Sequence, residues 1–418
     1  MKRALIALIA LVLILVGAGA AYVLYKRSQG GNIVGSSTQE FITTEKQTTP
    51  AEKQAKRQGI AWPMYGFDQQ RTRVGPSKFR PPYRIRWTFH GRSLLEFPPS
   101  IGYGRLYFTN NSGTTIALDA HTGKRAWTRP EHHCTAASPA IARGLVFQTY
   151  LNRPPCNASS SSLTGLVVAF GAKRGNVVWR RVIGPSESSP LVVGHRVYVG
   201  DWRGKIYAFE TRSGHLDWSY STGGAVKGGI SYENGRVFVG SYDHHVYALR
   251  ARSGKLVWSS SAQQRFGSLA NFYSTPALAY GRLYIGGTDG KVYSYGAADG
   301  RLLWSHGTGS YVYSSPAVWR RYVFAGSYDG IFYALDAATG NVRWSFPANG
   351  PISGSPTVLH GVVYFATLKQ HTYALSARTG KKVWTFADGK YSPVVADSRR
   401  LYLIGHTRIY GMVPRRNR

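Results

Sequence analysis

Glu131, His132, His133 and Cys134 stand side by side, and each is of a type that ligates transition metals. Consecutive residues rarely converge on one ion, and no second cluster stands at zinc spacing, so the run reads as local sequence rather than a metal centre. The patterns HExxH, GxSxG and GxxxxGKS/T do not occur, which removes motif support for a metalloprotease, a serine hydrolase or a phosphate-binding loop. With 2 cysteines, one disulfide is the most that can form and a four-thiolate zinc site is excluded. Charge is the stronger chemical signal: 52 Lys and Arg against 19 Asp and Glu give a formal +33. Such a field favours anionic partners without choosing among nucleic acid, phospholipid and wall polymer.

The elements that position these residues follow from composition. Glycine at 48 of 418 residues and aromatics at 13% are too Gly-rich for helix bundles and too aromatic for disorder, so an all-β fold leads. Residues 4–25 carry no charge and are bracketed by Lys2, Arg3 and Lys26, Arg27, long enough to span a bilayer as a transmembrane helix. A cleavable signal competes at Ala18-Gly19-Ala20, but the apolar run continues to Tyr25. Residues 1–27 are therefore expected to be a membrane anchor or signal segment, 28–59 a flexible linker, and 60–418 the folded domain. A single-pass chain with that domain on the extracytoplasmic side of the cell membrane follows.

The folded part is repetitive. GKRAW at 123–127 recurs as GNVVW, GHLDW, GKLVW, GRLLW, GNVRW and GKKVW, ending on Trp179, Trp218, Trp258, Trp304, Trp344 and Trp384. Each unit contains a short apolar run after Ser-Pro or Thr-Pro, an alternating strand such as RVYVG, a turn such as GSYDG, another strand, and the strand ending in Trp. Four short strands per unit of about 42 residues describe a propeller blade. Trp87 lies on a strand with no three strands before it, whereas the stretch after Trp384 supplies three strands and no terminal Trp. Pairing the two ends makes an eighth blade and removes the open edges.

GSYDGIFYALDAATGNVRW at 326–344 and GSYDHHVYALRARSGKLVW at 240–258 resemble the repeat of the pyrroloquinoline-quinone (PQQ)-type propeller family, as does the lead-in WPMYGFDQQRTRVGP at 62–76. The resemblance implies an all-β, eight-bladed β-propeller in which Trp87, Trp127, Trp179, Trp218, Trp258, Trp304, Trp344 and Trp384 dock between neighbouring blades. Blades of this kind serve both quinone dehydrogenases and a non-catalytic lipoprotein of outer-membrane β-barrel assembly. The dehydrogenases carry an adjacent Cys-Cys pair and a calcium site of carboxylates and amides. This chain has no adjacent cysteines and its acidic residues are scattered, so no PQQ, no other cofactor and no catalytic residue is expected.

In a four-stranded blade, the connections between blades and the second-to-third-strand turns share one side of the disk. There fall Glu96, Glu187, Trp202, Lys227, Phe272, Tyr273, Tyr311, Tyr313, Lys390 and Tyr391, a ring of aromatics and charges around the central funnel. It could stack and orient a sugar, quinone or peptide, or simply plug the funnel. Cys134 and Cys156 fall on the same side and are expected to form a disulfide that staples the longest unit. The opposite side collects basic turns, among them Arg320, Arg321, Lys381, Lys382, Arg399 and Arg400. With the linker emerging there, that side is expected to dock on an anionic membrane surface. The function expected is a monomeric binding or assembly scaffold for an envelope protein or polymer, with nucleic acid not favoured; a funnel-site sensor or enzyme is the alternative.

Overall fold

Strands of three to eight residues, most of them ended by glycine turns, pair into eight antiparallel blade sheets arranged as one ring. The computed structural model describes residues 2–28, 31–36, 59–156, 162–263 and 270–415. From centre to rim, blade 1 runs from Ser100–Gly102 to Arg125–Pro130, blade 2 from Ala140–Ala142 to Val177–Ile183, and blade 3 from Leu191–Val193 to Leu216–Ser221. Blade 4 runs from Ser231–Glu233 to Leu256–Ser261, blade 5 from Ala277–Ala279 to Leu302–Gly307, blade 6 from Ala317–Trp319 to Val342–Pro347, and blade 7 from Thr357–Leu359 to Lys382–Phe386. Blade 8 consists of Val394–Ala396, Leu401–Ile404 and Arg408–Pro414, completed by Tyr83–His90 from the other end of the domain. The two ends of the folded domain thus close the ring, as the lone Trp87 strand requires.

The spacing Gly-x-x-x-Trp has a packing cause. The glycine ends the third-to-fourth-strand turn at φ of 67–76°, a conformation that costs a residue with a Cβ. It also lies flat on the tryptophan of the preceding blade. A Cβ on Gly175 would come within 2.6 Å of Trp127, and one on Gly254 within 2.5 Å of Trp218. Six of the tryptophans then donate their indole N–H to a carbonyl of the next blade; Trp127 to Ala172 (3.0 Å) and Trp179 to Thr211 (2.9 Å) are typical. Trp87 rests on Gly123 of blade 1, and Trp384 meets Tyr83 edge-on at 5.4 Å. Asp201, Asp243, Asp289 and Asp329 of the second-to-third-strand turns each accept a tyrosine hydroxyl from the following strand. These carboxylates are spent on the blades.

The lead-in is a plug. Residues 59–75 enter beside Tyr103, pair Ile60 and Trp62 with the innermost strand of blade 1, and then visit the blades in order. The backbone N–H groups of Ile141, Tyr232, Leu278, Val318 and Val358, each the middle residue of an innermost strand, donate to Pro63, Gln69, Gln70, Thr72 and Arg73 at 2.7–3.0 Å. Gln69 Nε2 donates to Val192 in blade 3 at 3.2 Å. Val74–Gly75 leaves parallel to Thr357–Leu359. An innermost strand has no sheet neighbour toward the channel, and the plug satisfies the backbone groups that would otherwise stay unpaired there.

The N-terminus and the longest loop meet the expectations unevenly. The apolar run is helical over Lys2–Ser28, but its described side chains span only residues 9–22, and among the described residues no helix is long and apolar enough to cross a membrane. Part of the expected flexible linker is docked: Ile33 bridges Ser305 on the rim of blade 5. Residues 37–58 lie outside the described residues. Cys134 and Cys156 are bonded, closing a separation of 22 residues, and Glu131 is paired with Arg180 at 2.6 Å, so the Glu-His-His-Cys run is structural.

Candidate functional site

Six of the eight connections between blades carry a Ser/Thr-Pro step, the exceptions being those into blades 1 and 4, and in most of them the hydroxyl of that Ser or Thr ties neighbouring blades together. Ser189 accepts from Ser138 N (3.0 Å), Thr275 from Gly229 N (2.8 Å), Ser315 from Thr275 N (2.9 Å) and Ser355 from Ser315 N (2.9 Å). Tyr65 of the plug reaches up to this ring, its hydroxyl 2.9 Å from Ser355 Oγ. The ring and Tyr65 floor a recess on the funnel side, with walls supplied by the connections themselves.

Glu96, Glu187, Lys227, Tyr273, Tyr313 and Tyr391 line that recess, brought there by six different connections as the strand order requires. Glu187 is its best-supported group. Trp202 Nε1 donates to Oε1 at 2.9 Å, Tyr273 Oη to Oε2 at 3.1 Å, and Lys227 Nζ stands 3.6 Å away. Burial still raises its carboxyl above the usual range, with Lys227, Tyr273 and Trp202 pulling it back. Lys227 lies over the Trp202 ring at 4.2 Å and the Tyr242 ring at 5.0 Å, a cation–π arrangement. Tyr311 is half exposed at the lip beside Tyr313 and Tyr328, and Lys390 stands over Tyr391 at 5.3 Å.

Phe272 does not join them. Its ring is fully buried between blades 4 and 5 against Tyr293 and Tyr295, because alternation at that point turns Phe272 inward and Tyr273 toward the funnel. Tyr65, Phe97 and Tyr242 were not anticipated. Aligning the repeats places Tyr242 in the turn slot held by Trp202 and Tyr328, which is the signal that could have found it; Tyr65 sits in a lead-in that has no counterpart in the repeat.

Glu96 is different from Glu187. Burial, reinforced by the negative charge of Glu187 and opposed by Lys390, pushes its carboxyl up to about 7. A carboxyl whose folded pKa lies above its usual 4.5 binds its proton more tightly when folded, so stability falls as pH rises through that window. Glu96→Gln is therefore expected to be more stable than the parent at pH 8, by on the order of 1–2 kcal/mol for a half-buried group, and level with it at pH 5. Urea melts at both pH values check this; identical pH responses would mean that Glu96 is solvated.

The free volume above the floor is about 50 Å³, room for a few waters and far below the 300 Å³ or more of typical ligand sites. Beneath it, Arg71 is wholly buried and donates to the carbonyls of Ile230 (2.8 Å), Ser189 (3.2 Å), Pro190 (3.1 Å) and Tyr65. Burial lowers its guanidinium to about 9, still charged at neutral pH. Arg73, also buried, lies over the Tyr65 ring at 4.0 Å.

On the opposite side, Arg320, Arg321, Arg343 and Arg378 surround an open groove of about 440 Å³ between blades 6 and 7. Arg320 stacks on Trp319 at 4.8 Å, and Arg343 is held by Asp336 at 2.6 Å. Lys381, Lys382 and Arg399 are exposed in neighbouring turns. Arg400 is not available to a surface: it is buried, with Nη2 3.0 Å from His121 Nδ1 across the seam between blades 8 and 1.

Eight four-stranded blades, most of them joined by Ser/Thr-Pro connections and locked by Gly-on-Trp contacts, define a propeller of the PQQ-like repeat class. The profile of the family described as outer membrane protein assembly factor BamB matches residues 163–330 and 288–412, and the chain belongs to that family. BamB from Moraxella catarrhalis superposes with a TM-score of 0.65 at 17% identity, covering 79% of this chain and 99% of that one. Europium-containing methanol dehydrogenase gives 0.70 at 15%, covering 84% and 90%, and quinohemoprotein alcohol dehydrogenase from Comamonas testosteroni 0.71 at 14%, covering 85% and 81%. At such identities the likeness is one of fold. The polyvinylalcohol dehydrogenase of Sphingopyxis sp. (strain 113P3) is 28% identical over 130 residues, 30% of this chain, and the match spans 18% of that relative's length.

Proposed function

We propose that the chain is a membrane-tethered, extracytoplasmic scaffold that holds an envelope protein or polymer on its outer surfaces and performs no chemistry in its channel. The observation that carries this reading is the plug. Residues 59–75 fill the axis of the ring, tied to the blades by backbone hydrogen bonds and by the side chains of Tyr65, Gln69 and Arg71, leaving about 50 Å³ at the funnel floor. A fused-ring quinone does not fit there, and the chain's one sulfur pair is a bridge across 22 residues rather than between neighbours. The disulfide suits an oxidising compartment.

The anchor rests on the helix. Over residues 9–22 every described side chain is exposed, including Leu13, Ile14 and Val16 at 63–67%, and Gly17 and Gly19 have open space around them. A helix apolar on all sides is stable only when something apolar covers it, and the uncharged run of residues 4–25 has the length a bilayer needs. Affinity capture of the full chain from detergent-solubilised membranes, with thermal melts against small-molecule panels, tests the function. A scaffold retains a protein or polymer and shows no ligand-dependent melt. A ligand-dependent stabilisation lost in Glu96→Gln, with nothing retained, would establish a funnel-site sensor instead.

A further inference from the structure

The docked linker residues determine where the helix leaves the disk. Asn32 Oδ1 accepts from the backbone N–H of Gly307 at 2.8 Å, at the funnel-side end of the outermost strand of blade 5. Ile33 then exchanges both backbone hydrogen bonds with Ser305, each 3.0 Å. Gly35 N donates to Thr339 at 3.0 Å in a basic-side turn of blade 6, and Ser36 accepts from Arg282 Nη2 at 2.8 Å. The segment therefore runs from the funnel side to the basic side, antiparallel to the edge strand it extends.

The groove it occupies is built for it. Arg282 is fully buried and holds Ala338 O at 2.7 Å with its other terminal nitrogen. A Cβ on Gly35 would come within 2.4 Å of that carbonyl and 2.8 Å of the Trp304 ring, so only glycine fits. Trp304 is 0% exposed, whereas Trp258 on the rim of blade 4 is 8% exposed. Arg236 of blade 4 makes the same pair of carbonyl contacts as Arg282, to Ala297 and Ala298, with no third from a docked strand among the described residues.

We infer that this docked strand orients the propeller at the membrane, with the funnel side of the blade 5 rim held near the headgroups and the basic side directed away from that leaflet. The inference rests on the anchor reading. From Ser28 at the end of the helix to Asn32 are four residue steps, at most about 14 Å of extended chain. The six-residue edge strand Leu302–Gly307 alone is about 20 Å tall. A leash attached at its funnel-side end is too short to let the basic side lie flat on the same surface. A free linker of residues 28–59 would reach around the disk with ease; a docked one does not. Arg320, Arg321, Lys381, Lys382 and Arg399 are then offered to partners in the aqueous space rather than to the leaflet that holds the helix.

Full-length chain carrying a single fluorophore at Tyr311→Cys (funnel side) or Lys381→Cys (basic side) is reconstituted into vesicles with a quencher on the lipid headgroups. The funnel-side probe is expected to be quenched at least twofold more strongly. Gly35→Leu, which evicts the strand and lengthens the leash, is expected to erase the difference. Protein that floats with the vesicles but shows equal quenching, or stronger quenching at Lys381→Cys, overturns the orientation and leaves the anchor standing. Protein that fails to float overturns both.

Discussion

A chain lacking residues 83–90 is expected to aggregate or to melt without a cooperative transition. Tyr83–His90 pairs along its length with Arg408–Pro414, from Tyr83 opposite Pro414 to His90 opposite Arg408. Without it the last blade presents an open edge of unpaired backbone groups, a template for association. Two further contacts go with it. The Tyr83 hydroxyl sits 2.7 Å from that of Tyr364 in blade 7, and Trp87 covers Gly411 and Gly123, so the strand ties blades 7, 8 and 1 together. The point variant Trp87→Ala removes only the indole, and for a partly buried tryptophan about 2–4 kcal/mol is expected. Differential scanning calorimetry reads both. A deletion protein with an unchanged melting temperature would show that the ring closes by some other pairing.

How far the sequence leads depends on repetition. Blade number, closure and the Trp contacts were legible because most units restate the same constraints: a positive-φ glycine under an indole, an aspartate capping a turn, a Ser/Thr hydroxyl joining two blades. Whatever occurs once escaped. Arg71, Thr72 and Arg73 stand in a lead-in that has no counterpart in the repeat, and arginines are ordinarily on the surface; their burial, and for Arg71 the carbonyls of blades 3 and 4 more than 100 residues away, mark them as core. GGNIVGS read as linker because Gly and Ser give flexible chains, yet Gly35 is glycine for want of space. Phe272 and Arg400 were placed with their neighbours Tyr273 and Arg399, and in both pairs the alternation of side chains sends one residue inward and leaves the other out. The funnel ring itself was found because the side of the disk on which a connection falls is a matter of strand order alone.

Arg71→Met is expected to cost about 3–5 kcal/mol of unfolding free energy, the range for breaking a buried charged network. The methionine fills most of the volume, so cavity formation is a minor part of the effect. What is lost is hydrogen bonding: carbonyls of Tyr65, Ser189, Pro190 and Ile230 all converge on the one guanidinium, and each acceptor left without a donor in the channel costs on the order of 1 kcal/mol. Arg71→Lys separates charge from geometry. An ammonium keeps the positive charge but cannot reach carbonyls on blade 3, blade 4 and the plug itself at once, so it should recover less than half of the loss. Burial already disfavours the charged form here, lowering the guanidinium to about 9, and a lysine starts from a lower value. The lysine variant should therefore discharge near neutral pH, and relative to the parent it should gain stability as pH rises from 6 to 9, because its unfolded state then binds the proton more tightly than its folded state. Chemical denaturation of the three proteins at pH 6 and pH 9 is the measurement. A methionine variant within 1 kcal/mol of the parent would mean that the plug is decoration on a ring already stable without it.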